Sequence, residues 1–104
     1  MILKDILYKV TINAVVGSTS IAINKIEFDS RQIKTNDVFV AISGTITDGH
    51  KYIEKVIEDG ATAIVCEVLP EIFEDGVTYI EVANSNQALA FMAANYYAHP
   101  SEKA

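Results

Sequence analysis

One hundred and four residues with a mass of 11.4 kDa make one small domain, and an apolar content of 50% suits a single core. Eight basic residues against fourteen acidic ones give a net charge of -6 and a pI near 4.7. That balance argues against a sequence-independent grip on the phosphate backbone of nucleic acid or on anionic lipid.

Leu3, Ile6 and Leu7 recur at helical spacing and predict a short opening helix over residues 3–9, followed by a turn at Gly17-Ser18-Thr19-Ser20. Residues 21–28 alternate apolar and polar, the period of a strand with one buried face, and this segment is the candidate for an antiparallel strand. The continuous apolar run Val38-Phe39-Val40-Ala41-Ile42 suits a strand covered on both faces and is expected in the middle of the sheet. Asp48 is placed to cap a helix over 48–59 with Ile53, Val56 and Ile57 on one face, and Gly60 stands where a left-handed terminating residue is wanted. Residues 62–66 then complete a parallel, right-handed strand-helix-strand unit, and Pro70 ends that segment. A further strand is predicted over 77–82 and a last helix from Asn84 or Ser85 to about Ala98, with Leu89, Met92, Ala93 and Tyr96 facing inward. Alternating strands and helices predict an α/β fold, a three-layer α/β/α sandwich on a mixed, mostly parallel sheet.

The one cysteine, Cys66, excludes an internal disulfide and reads, among apolar neighbours, as a buried thiol of a reducing compartment. No apolar run reaches the ~18–20 residues of a membrane span, and the first residues lack a signal peptide's pattern, so the expected location is cytoplasmic. The polar tail after His99-Pro100 reads as a linker leaving a domain, which makes the chain an expected fragment: residues 1–99 the domain, 100–104 the start of the linker.

Phe28-Asp29-Ser30-Arg31 gathers an acid, a hydroxyl and the only arginine of the chain where a strand is predicted to end, the edge at which ligands of open α/β sheets collect. Arg31 either forks onto Asp29 or Asp37 or points at a phosphate; in an acidic protein the structural pair is the favoured reading. Residues 43–50 form a loop rich in hydroxyls between a strand and a helix start, either an ordinary loop with Asp48 as cap or an anion site at a helix amino end. Neither Gly-x-x-x-x-Gly-Lys-Ser/Thr nor Gly-x-Gly-x-x-Gly occurs, which argues against ATP hydrolysis or dinucleotide binding by this chain. His50, His99 and Cys66 are scattered along the chain, with no carboxylate spacing that suggests a metal cage or a nucleophilic triad, so no metal and no catalytic residue is expected. Phe91, Tyr96 and Tyr97, with no interleaved basic residues, read as core and interface rather than a base-stacking platform.

Taken together, Phe28-Asp29-Ser30-Arg31, Asp37-Val38-Phe39-Val40-Ala41-Ile42, Gly44, Asp48-Gly49-His50-Lys51-Tyr52-Ile53 and Gly60-Ala61-Thr62-Ala63 resemble, in order and spacing, the amino-terminal domain of the Mur ligases, in particular the MurE type. Leu3-Lys4-Asp5-Ile6-Leu7 and Tyr96-Tyr97-Ala98-His99-Pro100-Ser101 extend the similarity over almost the whole chain. Asn36 stands where the family often has glycine, and asparagine tolerates a left-handed backbone nearly as well. The resemblance implies a domain that anchors the uridine diphosphate of UDP-N-acetylmuramoyl-L-alanyl-D-glutamate for peptidoglycan synthesis, and so for cell-wall biogenesis, cell shape and division. It implies substrate contacts at Phe28, Ser30, Thr45, Ile46 and Thr47, with Asp29 and Arg31 bracing the loop. It implies that ATP and magnesium, as well as the incoming amino acid, are handled by central and C-terminal domains that follow, so that this chain is inactive alone. Two readings stay beside it: a MurF-type domain taking a UDP-muramoyl tripeptide, and an interaction domain of the same fold that binds no ligand and docks through Phe91, Tyr96 and Tyr97.

Overall fold

The computed structural model describes residues 1–42 and 49–97, with Gly49 and His50 described by their backbone alone. Five strands, β1 (Ile12–Val16), β2 (Ile26–Glu27), β3 (Val38–Val40), β4 (Ala63–Cys66) and β5 (Thr78–Val82), form one sheet in the order β1-β5-β4-β3-β2. Strands β2 to β5 are parallel neighbours, while β1 runs antiparallel to β5. Among the described residues three α-helices, α1 (Leu3–Ile6), α2 (Ile53–Glu58) and α3 (Ser85–Tyr97), cover the sheet.

The pleat sorts side chains to two faces and produces three layers. Val38, Val40, Ala63, Val65, Ile80 and Val82 point to one face and pack against Leu3 and Ile6 of α1 and Ala88 and Met92 of α3. Phe39, Ile64, Cys66 and Tyr79 point to the other, against Ile53 and Val56 of α2. The expected α/β/α sandwich on a mixed, mostly parallel sheet is the observed one.

Several sequence expectations are corrected in detail. The antiparallel strand is β1, a segment for which the sequence predicts no element; residues 21–28 contribute only the two-residue β2, and it is parallel. The ladder stops because Glu27 Oε1 accepts the backbone N–H groups of Phe28 and Asp29, both at 3.1 Å, so these amides are spent on a side chain rather than on β3. Ala22 is used elsewhere, in an isolated antiparallel bridge to Ile2. The middle of the sheet is β4, not β3, although both are wholly buried. The opening helix is shorter than expected and ends before Lys9, whose φ of 71° lies in the left-handed region.

The helix expected over 48–59 begins as a 3-10 turn, Gly49–Tyr52, before α2 proper; its proposed cap, Asp48, lies outside the described residues. Its end is as the sequence predicts. Gly60, with φ of 118°, donates to the Ile57 carbonyl at 3.1 Å, and Ala61 donates to the Val56 carbonyl at 2.9 Å, the paired bonds of a Schellman stop. Asn36 adopts φ of 67°, the left-handed conformation anticipated for it. For α3 the cap is Asn84, whose Oδ1 accepts from the Gln87 N–H at 2.9 Å; Ser85 instead binds the Glu67 carboxylate through its N–H and hydroxyl. No described helix is long and apolar enough to cross a membrane.

Candidate functional site

Strands β2 and β3 are parallel neighbours in register, Ile26 beside Val38 and Glu27 beside Phe39, so both leave the sheet at the same carboxyl edge. The chain after β2 forms a 3-10 turn at Ser30–Gln32, and the chain after β3 runs through Ala41 and Ile42. Between them opens a cleft of about 560 Å³, within the range of small-molecule sites. Phe28, Asp29, Ser30 and Arg31 form one wall, Phe39 comes from β3 and Ile42 from the chain after it, Tyr52 from the 3-10 turn before α2 and Lys55 from α2.

Each wall residue has a local reason for its place. Asp29 caps the 3-10 turn: its Oδ1 accepts from the Arg31 backbone N–H at 2.9 Å and from Arg31 Nε at 3.1 Å, while Oδ2 accepts from Arg31 Nη2 at 3.0 Å. The Arg31 side chain, hydrogen-bonded and charged, holds the Asp29 carboxyl below its ordinary value of 3.8, and Asp29 in turn raises the guanidinium. Arg31 is therefore paired with Asp29 and not with Asp37, as a brace of the loop should be, yet its side chain stays 81% exposed beside the cleft. Phe28 is 60% exposed at the mouth of the cleft. The Ser30 hydroxyl, on the same wall, makes no hydrogen bond to a described residue and is free to donate or accept.

Of the five residues singled out in sequence, Phe28 and Ser30 line this cleft; Thr45, Ile46 and Thr47 lie outside the described residues. Sequence reasoning missed Tyr52 and Lys55. They stand three apart at the start of α2, a spacing that places both on one helix side, and that spacing was the available signal. Lys55 Nζ pairs with Asp59 at 2.8 Å on the exposed surface of α2. A larger cavity of about 770 Å³ lies on α2 against residues 70–79, but Glu54, Glu58, Glu71 and Glu74 line it with no lysine or arginine. That lining disfavours a phosphate-bearing ligand, whereas the smaller cleft carries Arg31 and Lys55 beside one carboxylate, Asp29. Among the described residues no three His, Cys, Asp or Glu side chains converge as a metal cage requires.

Residues 22–97 match the Mur ligase family, catalytic domain. The UDP-N-acetylmuramoyl-L-alanyl-D-glutamate--2,6-diaminopimelate ligase of Bacteroides fragilis is 45% identical over 103 residues, which cover 99% of this chain and 21% of that protein. The enzyme of the same name from Clostridium tetani is 47% identical over 106 residues, covering 99% of this chain and 22% of that one. Among solved structures, MurF ligase from Thermotoga maritima in complex with ADP superposes with a TM-score of 0.58 at 32% identity, covering 66% of this chain and 16% of that one. MurF from Acinetobacter baumannii superposes with a TM-score of 0.62 at 26% identity, over 70% of this chain and 16% of that one. The chain spans about a fifth of the length of the curated relatives it matches. With the family matched over most of its length and a sheet that superposes on solved Mur ligases, this chain belongs to the Mur ligase family.

Proposed function

We propose that this chain is the amino-terminal, substrate-anchoring domain of a MurE-type ligase of peptidoglycan synthesis, with residues 1–99 as the domain and 100–104 as the start of a linker. Its ligand is the uridine diphosphate end of UDP-N-acetylmuramoyl-L-alanyl-D-glutamate. The observation that carries the reading is the shared carboxyl edge of β2 and β3, which puts Phe28 and Ser30 on the same cleft as Ile42, the residue that leads toward Thr45, Ile46 and Thr47. Phe28 offers an apolar face to the base, and the Ser30 hydroxyl donates to a phosphate or uracil oxygen. On this reading Thr45, Ile46 and Thr47 supply backbone N–H groups and the two threonine hydroxyls. Arg31 and Lys55 put two cationic groups at the cleft, each paired with an aspartate, Asp29 and Asp59, with which a phosphate competes.

The chemistry of amide formation belongs to the rest of the enzyme. The residues present do not fit ATP and magnesium: the chain has no phosphate-binding lysine loop, and the described carboxylates form no metal cluster. This domain contributes positioning, holding one end of the substrate so that the reacting carboxyl is carried at a fixed place. On this reading it is cytoplasmic, works with central and C-terminal domains of the same ligase that handle ATP, magnesium and the incoming amino acid, and is inactive alone.

Calorimetric titration of the 104-residue chain with UDP tests the reading. Saturable binding that weakens about threefold or more in Ser30→Ala, in keeping with one lost hydrogen bond, is expected. Absence of binding at millimolar UDP, or an unchanged affinity in both Ser30→Ala and Phe28→Ala, contradicts it. The MurF superpositions favour a second substrate, a UDP-muramoyl tripeptide, whose uridine end is the same; titrating dipeptide and tripeptide forms side by side on the complete ligase separates the two.

A further inference from the structure

We infer that Lys25 is a positioning residue for the substrate cleft: its ammonium group fixes the connection between β2 and β3 in the shape that presents Phe28 and Ser30. The inference takes its ligand from the functional reading above, while its geometry stands independently.

Lys25 lies immediately before β2, and its Nζ donates to Asp37 Oδ2 at 2.7 Å, to the Gln32 carbonyl at 3.0 Å and to Glu27 Oε2 at 3.3 Å. An ammonium has three protons, and all three are used. The three acceptors belong to three parts of one connection. Glu27 ends β2, Gln32 ends the 3-10 turn that carries Ser30 and Arg31, and Asp37 precedes β3. Each carboxylate then reaches further into the backbone. Glu27 Oε1 accepts from the Phe28 and Asp29 N–H groups, and Asp37 Oδ2 accepts from the Lys34 N–H at 2.7 Å. One cation thus sets where β2 stops, where the turn closes and where β3 begins.

Asp37 makes the anchor firm. Its side chain is wholly buried, its Oδ1 has no partner, and among the described residues Lys25 is its only countercharge, so the ammonium is held where the buried carboxylate is. Burial acts to lower the Lys25 pKa, but the hydrogen bonds to Asp37 and Glu27 outweigh it and raise the group above 10.5, so the charge persists throughout the neutral range. Salt bridges on exposed surfaces order little; this one is partly buried, triply bonded and shared between backbone segments.

The test uses the 104-residue chain with Lys25→Met, which keeps the apolar stem and removes the charge, and Lys25→Arg, which restores it. Amide hydrogen exchange and UDP affinity are measured at a temperature where circular dichroism shows each variant folded. In Lys25→Met, exchange at Phe28, Asp29 and Gln32 is expected to accelerate by about tenfold more than at Ile64 and Ile80, and UDP to bind about tenfold more weakly, the scale of a lost charge-assisted hydrogen bond. Lys25→Arg should recover part of both. An even loss of protection over the whole sheet, or an unchanged UDP affinity in the folded variant, overturns the proposal. If Lys25→Met does not fold, Lys25→Gln, which keeps a polar N–H donor near Asp37 but removes the charge, carries the same readouts and the same contrary result. If the unmodified chain does not bind UDP, the functional reading fails separately, and the exchange pattern alone upholds or overturns the brace.

Discussion

Replacing Gly60 by alanine probes the stop of α2 and the start of the connection that leads to β3. Gly60 has φ of 118°, and an added Cβ would lie 2.8 Å from Thr35 Cα and 3.0 Å from Thr35 N, both backbone atoms with no flexible end to swing away. Gly76 has a comparable φ of 82° but open space around its missing Cβ. The two substitutions therefore share the left-handed strain of ~1–2 kcal/mol and the opposing gain of ~0.4–1 kcal/mol from a stiffer unfolded chain. What differs is the clash, and forcing a methyl into packed surroundings costs ~1–3 kcal/mol. For a domain whose whole stability is ~5–15 kcal/mol, this gap is readily measured. Thermal unfolding should place Gly60→Ala below Gly76→Ala by roughly 4–24 °C, and urea unfolding should show the midpoint moving with an unchanged slope. Coincident melting of the two variants would refute the reasoning, because it would mean that Thr35 does not press on Gly60.

Cys66 is buried on the sheet face under α2, and burial, aided by the nearby Glu81 charge, pushes its thiol up to about 12. Alkylation at neutral pH should therefore follow global unfolding, slowing as the chain is stabilised; rapid labelling of the folded chain contradicts the buried placement. Asp29, held below 3.8 by Arg31, contributes stability that is complete above the ordinary carboxylate range and is lost as pH falls through its lowered folded value. A carbon-detected titration should find Asp29 ionising below an unpaired aspartate, and Arg31→Ala should return it upward; an ordinary titration in the parent chain would contradict the brace.

The parts of the fold most legible in sequence were those decided by short-range pattern. Val38–Val40 and Ala63–Cys66 are buried on both faces and so read as unbroken apolar runs. Gly60 and Asn36 announced left-handed positions that the structure contains. The edge strand β1 was illegible because only alternate residues are half-covered, which leaves its pattern weak. The direction of β2 could not be read either: period two gives a buried face, not the identity of the neighbour. At the cleft, the stretch Phe28–Arg31 was legible from its place where a strand ends, and Phe28 and Ser30 were singled out within it by the family resemblance. Tyr52 and Lys55 join the cleft only because a 3-10 turn carries the start of α2 to the end of β3. Lys25 reads in sequence as one more polar position, since its partner Asp37 is twelve residues away and its role exists only once β2 and β3 pair.

The most direct measurement of the central claim is a nitrogen-15 chemical-shift map of the chain during UDP addition. The account predicts perturbations concentrated at the amides of Phe28, Ser30, Arg31, Ile42 and Tyr52, around the carboxyl edge of β2 and β3. Perturbations confined to the glutamate-lined cavity of residues 54, 58, 71 and 74, or to α3, would contradict it.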